Sequence, residues 1–129
     1  MFNYKNEAAF SKAVCAHLRK QGYFVQRIET GSTGRGVPDI YAVSISGKAI
    51  WLELKRVHTN AAGKRYVTIP WRPGQQAWLH LIVTSYKQTA YTLAAFNDCI
   101  LLIQHAGRIY KNDIVLLSQC TILNSISAL

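Results

Sequence analysis

The sequence predicts an α/β fold, with a mixed central sheet flanked by helices, and three observations predict it. Apolar residues recur at three- and four-residue steps in two separate stretches, the spacing of one-sided helices. Between and after those stretches lie short runs rich in Val, Ile, Tyr and Phe, bounded by Gly, Pro and Asn-Asp, which read as strands and turns. Half of the 129 residues are hydrophobic, enough to bury a core, yet no apolar run approaches the ~20 residues of a membrane span. The order is α-β-β-β-α-β with further strands after it, and helices with strands in that order suit layers packed on one sheet. No repeat, linker or low-complexity tract divides the chain, so residues 1–129 read as one domain.

Residues 5–20 form the first helix: Ala9, Phe10, Ala13, Val14 and Leu18 make its apolar stripe, Asn3 or Asn6 caps its start and Gly22 ends it. Tyr23 to Glu29 is a strand, followed by the polar, Gly-rich loop of residues 30–36. Val37 to Ile45 is the next strand, with Pro38 tolerated only near its start. Ser46-Gly47-Lys48 turns the chain into a third strand, Ala49 to Arg56, so residues 37–56 make a hairpin. A basic loop over residues 57–70 carries a short strand at Tyr66 to Ile69. Pro73 opens a second helix running to about Lys87, with Trp78, Leu79, Ile82 and Val83 on its apolar face. Thr89 to Phe96 and Cys99 to Gln104 are two more strands joined by Asn97-Asp98, and residues 107–129 add a short strand and an irregular or helical end.

Fifteen Lys and Arg oppose six Asp and Glu, a formal charge of +9. Such a field attracts polyanions, nucleic acid first, and no basic amphipathic helix marks a membrane surface. The three cysteines are scattered and unpaired by spacing, which excludes a disulfide framework and fits a cytoplasmic compartment, that of a bacterium or of a phage-infected host cell. Nothing at the N-terminus reads as a secretory signal.

With only six acids, each asks for a reason. Side chains alternate along a strand, so Glu53 and Lys55 share one face while Ile50, Leu52 and Leu54 take the other, toward a core. The hairpin brings Asp39, near the open end of one strand, to Glu53 and Lys55 near the open end of its neighbour, at an edge of the sheet. Two carboxylates close together repel unless a cation joins them. A hard divalent ion accepts one or two carboxylates, keeps waters and adds phosphate oxygens. It can polarise a phosphate and activate water, and an adjacent lysine can stabilise the growing charge. The set suits hydrolysis of a phosphodiester. The plainer alternatives are a turn acid at Asp39 and a solvated strand face at Glu53 and Lys55.

Asp39 followed by Glu53-Leu54-Lys55 on this frame resembles the PD-(D/E)xK nuclease superfamily, above all its virus-type replication-repair nuclease (VRR-NUC) domain, with small archaeal Holliday junction resolvases as near relatives. The stretches that carry the resemblance are Gly34 to Ile40, Trp51 to Lys55 and Gln75 to Leu79, and with the first helix they cover about residues 5–95. The resemblance implies a restriction-endonuclease-like αβββαβ core and Mg²⁺, with Mn²⁺ as a substitute. It implies Asp39, Glu53 and the backbone carbonyl of Leu54 as metal ligands, Lys55 as the catalytic lysine, and Glu7 as a direct or outer metal contact. Gln75 would hold the lysine or a water, with Gln76 as its competitor. Glu7 equally suits the positive end of its helix, and Gln75 an ordinary first turn.

Lys55 to Arg72 holds five basic residues and no acid. Arg56, Lys64, Arg65 and Arg72 there, and Arg35 in the Gly-rich loop, are the expected nucleic-acid contacts, with His58, Tyr66 and Trp71 against sugars or bases. No histidine shows ligand spacing. The expected function is a metal-dependent endonuclease on DNA, selective for branches or four-way junctions, in replication, recombination or repair. A two-fold junction needs two active sites, hence a homodimer, joined through Ile114-Val115-Leu116-Leu117 or a sheet edge. The alternatives are a non-catalytic DNA-binding module on the same fold, or a site-specific restriction or homing enzyme.

Overall fold

The structure, a computed structural model, describes residues 6–28, 36–57, 64–96 and 99–129. Helix α1 (Glu7–Lys20) starts where the Asn6 side chain accepts the Ala9 N–H at 2.8 Å, so Asn6 and not Asn3 is the cap. Its Phe10, Val14, Cys15 and Leu18 are buried in one stripe. The strands follow as β1 (Phe24–Arg27), β2 (Ile40–Val43), β3 (Ala49–Val57) and β4 (Tyr66–Thr68). After helix α2 (Gln75–Thr84) come β5 (Thr89–Phe96), β6 (Cys99–Gln104), β7 (Ile114–Leu116) and β8 (Thr121–Leu123).

Six strands form one sheet in the order β1-β2-β3-β5-β6-β8. Only β3 and β5 run parallel, joined by the crossover that contains α2; the other neighbours are antiparallel. The mixed sheet and the hairpin of β2 and β3 match the sequence expectation. Its turn closes with the Ser44 N–H donating to the Lys48 carbonyl at 2.9 Å and the Lys48 N–H to Ser44 Oγ at 3.0 Å. The first strand of the hairpin is shorter than expected, because Val37 and Pro38 lead in from a left-handed Gly36 (φ +88°). Helix α2 is shorter too: Gly74 caps it at φ +90°, so Pro73 lies outside, and Lys87 leaves it at φ +58°. Asn97-Asp98 and the loop of residues 30–35 lie outside the described residues.

The sheet separates two apolar clusters. On one face, Val25, Ile40, Ala42, Leu52, Leu54, Leu93 and Ile100 pack under α1. On the other, Val57, Ala94, Leu101 and Ile103 pack under Val67, Ile69, Trp71, Tyr110 and Val115. The tail supplies much of that second layer. It makes two strands where one was expected: β7 pairs with β4 as a separate ribbon, and β8 pairs with β6. Gln21 Nε2 donates to the Leu129 carbonyl at 3.1 Å, fastening the end of the tail to α1. Among the described residues no helix is long and apolar enough to cross a membrane.

Candidate active site

Asp39 is held by backbone on both sides. Its carbonyl accepts the Ile28 N–H at 2.8 Å, and its Oδ2 accepts the Leu54 N–H at 2.8 Å. The last pair of the hairpin is Ile40 with Leu52; one residue further, the register sets Asp39 across from Glu53. The carboxylate therefore continues the ladder past the end of β2.

Glu53 is 1% exposed and Lys55 3%. Both project from the face opposite Leu52 and Leu54, as strand alternation requires. The expectation that they meet at an edge of the sheet needs correction: β3 is an interior strand between β2 and β5, and both side chains are buried. Lys55 Nζ lies 3.3 Å from Glu53 Oε2, an ion-pair contact, while neither Glu53 oxygen receives a well-directed hydrogen bond among the described residues. Burial, first, and the negative charge of Asp39, second, push the Glu53 carboxyl up to about 8; Lys55 opposes them and Glu7 adds to them.

Glu7 is exposed on the first turn of α1 and lines one cleft with Ser11, Arg27, Asp39 and Leu54, about 240 Å³ in volume. The fold thus brings Glu7, Asp39, Glu53, Leu54 and Lys55 into one neighbourhood from three elements. Among the described residues no three of His, Cys, Asp and Glu converge tightly enough to hold a metal ion by themselves. Mg²⁺ asks for no such cage, since it takes one or two carboxylates and fills its shell with waters and phosphate oxygens. The donor set fits on that count, and on the buried Glu53 oxygens, which receive no well-directed hydrogen bond among the described residues.

Gln75 is buried and its Oε1 accepts the Arg72 N–H at 2.7 Å, bracing the start of α2. Gln76 turns to the tail instead, with Oε1 accepting the Tyr110 N–H at 2.8 Å and Nε2 donating to Asp113 Oδ1 at 2.7 Å. Lys64, Arg65 and Arg72 are exposed, and Arg56 is half-buried, on the face opposite Lys55. None of the four lines the cleft. Arg35 and His58 lie outside the described residues. Trp71 does not face solvent as expected. It is 7% exposed, stacks on Tyr110 at 5.8 Å and donates its indole N–H to Thr92 Oγ1 at 3.1 Å. Arg27 was missed. Its signal was positional: it ends β1, paired with Ile40, beside Asp39.

This arrangement of helices and sheet has a counterpart. The Holliday junction resolvase Hjc of the archaeal hyperthermophile Archaeoglobus fulgidus superposes with a TM-score of 0.62 over 86% of this chain and 88% of its own, at 16% sequence identity. The fold is that of a Holliday junction resolvase. It is the restriction-endonuclease-like α/β fold that the motifs implied. No protein-family model matches the sequence, and no curated protein matches it.

Proposed function

We propose that this chain is a Mg²⁺-dependent endonuclease that hydrolyses DNA phosphodiester bonds, selective for branched DNA such as four-way junctions. The observation that carries the reading is Glu53: a buried carboxyl, opposite a second carboxylate, 3.3 Å from the Lys55 ammonium and with no well-directed hydrogen bond among the described residues. Folds do not keep such a group without cost, and a divalent cation would relieve it. Asp39, Glu53 and the Leu54 carbonyl would hold the ion, with Glu7 as a further acid at the cleft. A bound Mg²⁺ supplies Lewis acidity at a phosphate oxygen and a more acidic water.

The chain's own residues supply the rest. Leu54 N–H fixes the Asp39 carboxylate. Lys55, buried and paired with Glu53, offers N–H donors to the charge that grows on the phosphate. Arg27, in the same cleft as Asp39, offers a charged fork to the neighbouring phosphate oxygens. Selectivity for branches rests on the shared fold, and a two-fold junction calls for a homodimer. Val115 is fully buried, so the tail segment 114–117 is not an interface as a whole; the outer strand β1, with Phe24 64% exposed, is the sheet edge to place it on.

The test is Mg²⁺ titration against a four-way junction and linear duplex of the same sequence. Wild type cuts the junction in a metal-dependent way and Asp39→Ala and Lys55→Ala do not. Variants that cut like wild type defeat the assignment, and binding without any cleavage points to a non-catalytic module on the same fold.

A further inference from the structure

The ribbon of β4 and β7 has two unlike faces. Val67 and Val115 point inward and are fully buried. The flanking pairs, Tyr66 with Leu116 and Thr68 with Ile114, share the outer face. Leu116 is 46% exposed and Ile114 39%. At one end the Lys64 ammonium stands 5.4 Å over the Tyr66 ring, and Arg65, exposed, accepts the Leu117 N–H on its carbonyl at 2.8 Å. At the other end the Asp113 carbonyl accepts the Ile69 N–H at 2.9 Å and its Oδ1 accepts from Gln76 Nε2 at 2.7 Å; Lys111, two residues before Asp113, and Arg72, three after Ile69, are both exposed. Asp113 is the one acid of the ribbon, and its Oδ1 accepts from Gln76.

We infer that this outer face binds an unpaired stretch of nucleic acid, with Ile114, Leu116 and Tyr66 against sugars and base faces and Lys64, Arg65, Arg72 and Lys111 on the phosphates. The inference deepens the proposed nuclease reading by naming a contact for the opened strands of a branch, and it rests on that reading for its biological sense only. The chemistry selects the occupant. A strip with apolar groups in the middle and cations at both ends fits a strand that shows sugars and bases between phosphates, whereas the outside of a closed duplex offers phosphate. A second copy of the chain fits poorly, since a two-fold contact here would set these four cations against their copies. The tail residues Lys111, Ile114 and Leu116 are thereby assigned a role that the basic stretch of residues 55–72 does not supply alone.

Fluorescence anisotropy in EDTA tests it, on a labelled single strand, a four-way junction and a closed duplex. Ile114→Ser with Leu116→Ser should weaken single-strand and junction binding about five- to tenfold and leave duplex binding within twofold. Lys64→Ala with Lys111→Ala should make the slope of log affinity against log salt on the single strand shallower by roughly 1.4, two phosphate contacts at ~0.7 each. All four positions are on the surface, so thermal midpoints should stay near wild type. Wild-type affinity and slope in both double variants overturn the inference. So does a serine variant whose sedimentation mass falls while its affinity holds, which would make the ribbon a contact between copies. Asp39→Ala separates the two readings: if it still cuts, the nuclease assignment fails, whereas the ribbon is judged on binding alone.

Discussion

Asp39 stands in for a strand: its Oδ2 takes the Leu54 N–H at 2.8 Å just before β2 begins. One side chain thus closes the ladder of a buried strand and presents a carboxylate at the cleft. The two duties separate by substitution. Asp39→Ala leaves the Leu54 N–H without its acceptor, at about 1–3 kcal/mol. Asp39→Asn keeps an oxygen there and should cost well under half as much in urea denaturation. Both should lose Mg²⁺-dependent cleavage; an asparagine variant that cuts normally would leave Asp39 a structural role only.

Glu53 makes the metal-free protein sensitive to alkali. Its folded carboxyl stays protonated to about pH 8, against an ordinary value of 4.5. Between those values the folded chain keeps a proton that the unfolded chain has released, so the free energy of unfolding falls as pH rises through the window. Glu53→Gln removes that proton equilibrium. In EDTA the thermal midpoint of the variant should gain on wild type between pH 5 and pH 8, and Mg²⁺ should restore wild type at pH 8. A difference that does not change with pH would mean that the carboxyl is not perturbed.

The lead-in to Asp39 depends on a close backbone contact. Gly36 adopts φ +88°, and a Cβ on it would meet the Gly74 carbonyl oxygen at 2.5 Å and the Trp78 Cβ at 3.3 Å. Alanine must therefore shift either the segment before Pro38-Asp39 or the first turn of α2, besides taking an unfavourable backbone conformation. Gly36→Ala should lower stability by about 1–3 kcal/mol and reduce cleavage more than DNA binding, read by denaturation and by parallel binding and cleavage assays. Equal losses in the two assays would show a general loss of folded protein instead.

The hairpin and the convergence of Asp39, Glu53 and Lys55 were legible because period-2 alternation and one Pro-Asp lead-in fix faces and register locally. Four features were not. Burial of Glu53 and Lys55 depends on β5 closing the far side of β3, a pairing between segments about forty residues apart in sequence. Arg27 reaches the cleft through the antiparallel step from β1 to β2, which local pattern does not order. The ribbon needs β7, three residues long, to find β4 across the whole of α2, β5 and β6. Trp71 looked like a surface aromatic on a basic loop; its tertiary partners Tyr110 and Thr92 explain its burial.

Thr92 joins that second layer to β3, since it pairs with Glu53 across β3 and β5. Its hydroxyl accepts the Trp71 indole N–H at 3.1 Å and shares a hydrogen bond with His105 Nε2 at 2.8 Å, all buried. Thr92→Val would strip a partner from both rings, so it should cost about 2–4 kcal/mol, while Thr92→Ser should cost clearly less. His105 adds a pH signature. Burial, with the charge of His80 as a smaller cause, lowers its pKa to about 4 from 6.5. Below pH 6.5 the unfolded chain takes up a proton that the folded ring refuses, so stability falls from pH 6.5 toward pH 4, the opposite direction to Glu53. His105→Phe keeps a ring in place and should lessen that acid-side loss without touching the alkaline one. If thermal midpoints of wild type and His105→Phe fall in parallel on acidification, the buried neutral imidazole is not the cause.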